Sequence, residues 1–543
     1  MTGTKRLISL ILSLVFCFVT FNGVTGSAET AGDNYEGPVV RVGLYAKTSS
    51  LDTRRFSSRN ESRTGFEFGY VKNGDLVKLF SDGAKAIILL PQVNASANYS
   101  SEYGICRKGE GNVGAYSVIA GTYATYNEAR EAALVYGDGF VALTDGGFEA
   151  RFKPAHSKAA LVSAGYTNIA EPVSGGITVL DAEAGKILFV WNATGNSLAL
   201  QAQNGGNVAL PVKHYSGNTN MYSYPGCFVY SVDSELLNMV NRVGLETYTK
   251  CVMSNEIGTS MTKETRRAFS VLARTCALGK KHSRQGFDVC SYSGCCQVYA
   301  GVYRMDETNN AIVDSTRGQY CAYDGDPITV LYHGSNGGAS CSSVAAWGGE
   351  EVPYLTTVFL EDNENDEAKA WSKEFTKNEF YSYLKSRSRF SGLKDKNISM
   401  QILETDPYGS DYITVLSVSD GSGNSVTVEN SEKIRAALGV NSANFSVTYV
   451  AEVDVLTAEG TVEKRRVEGI LTAEGYKKFT SFGETYVTTS GKKISPTKVV
   501  ISGVGAGHGV GFSAAGSEKL SKEGYNYKYI LTFFFSGTEI LCV

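Results

Sequence analysis

The chain has 543 residues, 43% hydrophobic and 20% charged, with a formal net charge of −4. That length allows two to four domains, and the composition is globular. The charge leaves no basic footprint for nucleic acid and no extended basic face for a membrane surface, so neither partner is expected.

Lys5 and Arg6 precede an apolar run at 7–20, and small residues follow at Gly26, Ser27 and Ala28. This pattern predicts a secretory signal peptide over 1–28 and an exported protein, at the cell wall or cell surface. The run is short for a membrane span, and no other stretch is long and apolar enough to be one. Cys17 lies inside the run without the small neighbours of a lipoprotein signal, so no lipid anchor is expected. Of the 11 cysteines, Cys17 leaves with the leader. The other ten suit disulfides in an oxidising compartment or buried single thiols.

The 32 Tyr and 59 Gly, with many Val, Thr and Ser, point to strands and turns. Residues 39–46 and 66–71 alternate as strands do, which predicts a small β-rich region over 34–110. Over 114–156 the order becomes strand, turn, helix, strand, turn, strand, with Ala129, Ala132 and Ala133 at helical spacing. The words YSVIAGTY and Asn127-Glu128-Ala129 resemble the SPOR domain, which binds peptidoglycan glycan strands. A generic α/β sandwich over 111–215 reads the same way. A further helix is expected at 157–164, with strands at 177–180 and 187–191. Residues 195–223 are polar and turn-rich, the best candidate for a domain boundary.

The densest chemistry lies at 246–302. Glu256 sits in a loop signal, Asn255 to Gly258, after an apolar lead-in. A helix is then expected over 262–281, with Ala268, Phe269, Leu272, Ala273, Cys276 and Ala277 three and four apart. Thr262 is its N-cap and Glu264 lies in its first turn. His282, Cys290, Cys295 and Cys296 follow in one loop. Zinc takes such ligands readily, and a disulfide from Cys290 to Cys295 or Cys296 is the alternative.

Four ordered blocks over 225–543 resemble the stage II sporulation protein D (SpoIID/LytB) family. Val243, Leu245, Glu246, Tyr248, Val252, Glu256, Ala268, Ala273, Arg274, Thr275 and Ala277 fit its first block. LYHGSNGGASCSSVAAWGGEEVPYL at 331–355, SEKIRAALGVNSANFSV at 431–447 and the GAGHGVG block at 502–540 fit the others. The chain departs from the family at Ile257, at Phe269-Ser270 and at Cys276. It also lacks the glutamine expected after Phe512-Ser513.

The resemblance implies a C-terminal SpoIID-like catalytic domain over 225–543, built on one principal helix. It implies a peptidoglycan lytic transglycosylase acting in spore formation, with Glu256 as the acid/base. Such an enzyme cleaves between N-acetylmuramic acid and N-acetylglucosamine and leaves 1,6-anhydro ends. One carboxyl serves twice there, so its pKa must be raised; the neighbours Val252, Met253 and Ile257 are compatible with that. Without the resemblance Glu256 would read as a cap or ion-pair partner of the following helix. The resemblance further implies structural zinc on His282, Cys290 and Cys296, with Cys296 preferred over Cys295 because it opens the C-Q-x-Y word. Arg274, Ser335, Asn336, Gly337, Gly338, Gly507, His508 and Gly509 are the expected substrate contacts. Ser335 to Gly338 could equally be a tight turn and His508 a structural histidine. Tyr292, Tyr299 and Trp347 could stack on sugars or belong to the core. The competing class is a non-catalytic glycan-binding protein that recruits or activates a cell-wall amidase.

Overall fold

The computed structural model describes residues 36–192, 195–213, 219–360, 369–472, 475–487 and 491–543. The expected leader over 1–28 lies outside them. Among the described residues no helix is long and apolar enough to cross a membrane. The fold is a β-rich, multidomain α+β arrangement with three large apolar cores.

A seven-stranded sheet underlies the site. Its strands are β1 (Val39–Tyr45), β2 (Phe66–Lys72), β3 (Asp75–Asp82), β4 (Leu198–Ala202), β5 (Cys227–Asp233), β6 (Leu236–Gly244) and β7 (Val289–Cys290), in the order β7-β1-β6-β5-β4-β2-β3. β6 alternates strictly, burying Leu237, Met239, Asn241 and Val243 on one face, as the two-residue strand period requires. β1 runs antiparallel to β6 in the register Val40↔Val243 and parallel to β7 in the register Gly43↔Cys290. The sheet therefore crosses the expected boundary near residue 215 and joins 34–110 directly to 225–543.

The turn-rich stretch 195–223 carries strands rather than a linker: β4, Val208–Lys213 and Thr219–Tyr224. Leu198, Leu200, Val208, Leu210 and Val212 are all buried, so burial outweighs the turn-forming residues around them. The expected elements of the SPOR-like stretch are present as strand Tyr116–Tyr123, helix Tyr126–Ala133 and strands Phe140–Thr144 and Gly147–Ala155. They form one end of a ten-stranded sheet.

Two helices follow the sheet. The apolar lead-in at 236–243 is strand β6, and α1 (Leu245–Glu256) follows it and takes in Asn255 and Glu256 of the expected loop. It buries Leu245, Tyr248, Cys251 and Val252 at helical spacing, while Thr247, Lys250, Ser254 and Asn255 blur that pattern in the sequence. Its first turn is held from afar, where Glu36 accepts from the Thr247 amide and hydroxyl at 3.2 and 2.7 Å. α2 (Lys263–Leu278) is the expected helix. Thr262 sits at its N-cap position but does not cap it; its hydroxyl and amide donate to Glu518 instead.

The pair lies at the seam of two cores. Leu245, Tyr248, Cys251, Val252, Ala273 and Ala277 belong to the core beneath the sheet. Met253, Ile257, Ala268, Phe269 and Leu272 belong to the core shared with the C-terminal blocks. Strand Ala370–Thr376 pairs with Lys498–Val504, and the residues between them enclose the third core.

Candidate active site

Glu256 is the last residue of α1 and stands at the seam, half-buried. Two influences oppose its ionisation. Burial raises its pKa above the usual glutamate value, and the negative end of the α1 dipole disfavours a second negative charge there. Hydrogen bonds from the Val298 amide and the Tyr332 side chain act the other way without cancelling the rise. The Val298 N–H donates to Glu256 Oε1 at 2.6 Å. Tyr332 is held edge-on by Phe269 of α2, with ring centroids 5.1 Å apart. Neither group acting on the carboxyl is itself a carboxylate.

Tyr332 lies on β8 (Tyr332–His333), parallel to β9 (Phe512–Ser513). That pairing brings the 331–355 block against the GAGHGVG block. The Tyr332 backbone carbonyl accepts from the His508 ring, so Tyr332 links Glu256 to His508. His508 Nδ1 accepts from the Val510 amide at 3.0 Å, and its ring meets those of His333 and Trp347 at 5.4 Å each. Burial holds His508 below the usual histidine value and pushes His333 down to about 3. Both are neutral near pH 7, so His508 is a neutral donor rather than a cation.

The other expected contacts divide by exposure. Ser335 and Asn336 are fully buried, and the Asn336 side chain leaves both its polar atoms unpaired. Gly337, Gly338, Gly507 and Gly509 all have positive φ, which accounts for glycine at each. A Cβ on Gly337, Gly507 or Gly509 would meet Val504, His333 or Tyr412; only Gly338 opens onto free space. Trp347 is 42% exposed and Tyr292 37%, whereas Tyr299 is core, stacked on Tyr248 and bonded to Asn241.

Arg274, expected at the substrate, is wholly buried on α2. Its Nε and Nη2 donate to the two oxygens of Glu246, each at 2.8 Å. It also donates to the Val313 carbonyl at 2.9 Å. The charge pattern of that helix hides this role, because its partner lies on α1 and not on α2.

After α2 the chain turns back along β1. His282, Cys290, Cys295 and Cys296 offer ligand atoms that all lie within 4.8 Å of one another. The ten described cysteines are free thiols. Zinc held by thiolates at ~2.3 Å in a tetrahedron sets its ligands ~3.8 Å apart, so the cluster fits the ion with little closure. The Cys290 thiol is raised first by its hydrogen bond with Cys296 and then by burial, a bias that a bound dication reverses. The cluster is anchored to β1, where Arg41 bonds both oxygens of Asp288, at 2.7 and 3.2 Å. Gly43 faces the Phe287 ring, which leaves no room for a Cβ. Sequence spacing overlooked Tyr332 and the Val298 amide, and the family resemblance favoured Cys296 over a neighbour that joins the same cluster.

Residues 233–323 match the SpoIID family model, described as "Stage II sporulation protein". Residues 233–323 are thus a SpoIID-family domain. The match takes in α1, Glu256, α2 and all four donors; the 331–355 and 502–540 blocks lie beyond it. Among curated relatives, the "Amidase enhancer" of Bacillus subtilis is 27% identical over 364 residues, 64% of this chain and 47% of the relative. An uncharacterized protein of Brachyspira hyodysenteriae is 25% identical over 325 residues, 59% of this chain and 73% of the relative. The chain thus spans less than half the length of the amidase enhancer it matches.

Proposed function

We propose that this SpoIID protein is an exported peptidoglycan lytic transglycosylase with Glu256 as its only acid/base. One observation carries the reading: the carboxyl is half-buried at the negative end of a helix, its pKa is raised by burial, and among the described residues the groups that bond it are the Val298 amide and Tyr332, not a carboxylate. A hydrolase of glycan strands needs two carboxyl groups. Intramolecular transfer needs one, provided it begins protonated.

Glu256 gives its proton to the glycosidic oxygen as the bond to the anomeric carbon breaks. The resulting carboxylate then takes the proton of the muramyl 6-hydroxyl as that oxygen closes on the anomeric carbon. The products are a 1,6-anhydromuramyl end and a free 4-hydroxyl, and Glu256 is again protonated. The Val298 amide and Tyr332 steady the carboxylate between the two transfers. Zinc on the His282, Cys290 and Cys296 loop would supply a cross-link that fixes the loop and, with it, the Val298 amide.

The test is muropeptide mass spectrometry after incubating intact and peptide-stripped glycan with the native chain and with Glu256→Gln. New anhydro ends from the native chain alone are expected. Their absence on both substrates would overturn the reading. A second reading rests on the relative named for enhancing an amidase: the chain would bind glycan and stimulate a cell-wall amidase. Adding such an amidase to the same assay separates the two, because stimulation that survives Glu256→Gln favours the second.

A further inference from the structure

We infer that Cys295 is a metal ligand in its own right, closing a site of three cysteines and one histidine and sealing its ion from Glu256 and from substrate. This goes beyond the zinc reading above and rests on it. The resemblance implies one histidine and two cysteines, which leaves a fourth place open to water or substrate. Here that place has an occupant from the chain.

The geometry carries the inference. Cys295 Sγ stands 3.3 Å from His282 Nε2, close to the ~3.5 Å nitrogen-to-sulfur edge of a tetrahedral zinc site. The amides of Cys295 and Cys296 both donate to the Tyr292 carbonyl, at 3.0 and 2.8 Å. That tight turn lets two successive cysteines reach one point. Beneath them Ala46, Phe287 and Cys290 form an apolar floor on which Cys295 and Cys296 pack.

Charge agrees. Three thiolates around a dication leave one net negative charge, and the Lys281 ammonium sits beside them, bonded to the Cys295 carbonyl at 2.5 Å. Glu256 is not one of the converging donors and is engaged by Val298. A closed shell of this kind is structural, whereas catalytic zinc keeps an open position.

Cobalt substitution tests this without reference to activity. The full chain, reduced and stripped of metal, is titrated with Co2+, and the sulfur-to-cobalt charge-transfer band is read before and after azide is added. The native chain is expected to bind one ion, with a band that azide does not alter. In Cys295→Ser the band should fall by about one third, as three thiolates become two, and should now respond to azide. A band equal to the native one in Cys295→Ser would overturn the inference and leave the zinc reading standing. A native chain that takes up neither Co2+ nor Zn2+ would overturn both. Should Cys295→Ser fail to fold, proton release on zinc binding decides with the native chain alone. Calorimetry in buffers of different ionisation enthalpy should give about three protons per ion at neutral pH, against about two if Cys295 is not a ligand.

Discussion

On the proposed mechanism Glu256 must be protonated to act, so its surroundings would set the upper pH limit of glycan cleavage. Its folded pKa is raised by burial. The proton is therefore held more tightly in the folded chain than in the unfolded one. The stability this contributes is present at low pH and is lost as pH rises through the folded value. Cleavage should decline over the same range. Tyr332 is one of the two groups that favour the charged form. Tyr332→Phe removes that influence, so the pKa rises further and the descending limb of the pH–rate profile moves to higher pH. A limb that stays in place would separate Tyr332 from the acid. The variant also distinguishes positioning from packing, because the Phe269 contact survives it while the hydroxyl is lost.

α1 and α2 frame the candidate site, and a buried ion pair ties them together. Arg274 and Glu246 have side chains 0% and 1% exposed, and the Gly318 amide adds a third bond to Glu246 at 3.0 Å. Removing one partner strands a charge that water cannot reach, at a cost of ~3–5 kcal/mol. Glu246→Ala should lower stability by that order in urea unfolding. Arg274→Lys, made alone, should also lower stability, because an ammonium cannot bond both Glu246 oxygens in parallel. A variant as stable as the native chain would make the pair incidental. How much of this was legible varies with the range of the interaction. α2 was readable because its apolar residues recur at three and four, even though burial runs unbroken from Ala268 to Thr275 and takes in Ser270, Arg274 and Thr275. α1 was hidden because Thr249, buried at 0%, and other polar residues interrupt its stripe. The convergence of Cys295 with Cys296 depends on a turn at Tyr292 that residue spacing does not encode. β1 was readable as a strand, yet its place between β6 and β7 depends on partners about 200 and 250 residues away, and pairings at such separation leave no local mark.

Across the whole molecule, the sheet and the third core respond differently to cutting. Strand Ala370–Thr376 pairs with Lys498–Val504 from end to end, with Ala370 opposite Val504. The Gly505 amide bonds the Lys369 carbonyl at 3.0 Å, so the segment leaves and rejoins the chain at one point. Between those ends Phe380, Leu384, Ile413, Leu416, Val499 and Ile501 form a core of their own. An inserted segment with adjacent ends and a private core can fold alone. Residues 369–504, expressed separately, should therefore unfold cooperatively on heating. Residues 225–543 should not do so in the same way, because they lack β1. Without it β6 loses a neighbour, β7 loses its only pairing in the sheet, and the side chains that meet Val40, Val42 and Leu44 face water. The larger fragment should aggregate or melt without a sharp transition despite containing every residue of the candidate site. Supplying residues 36–47 as a peptide should sharpen that transition by restoring the strand between β6 and β7. If 225–543 alone melts as sharply as the full chain, β1 is an accessory to the sheet, and the metal loop stands without the Arg41–Asp288 anchor.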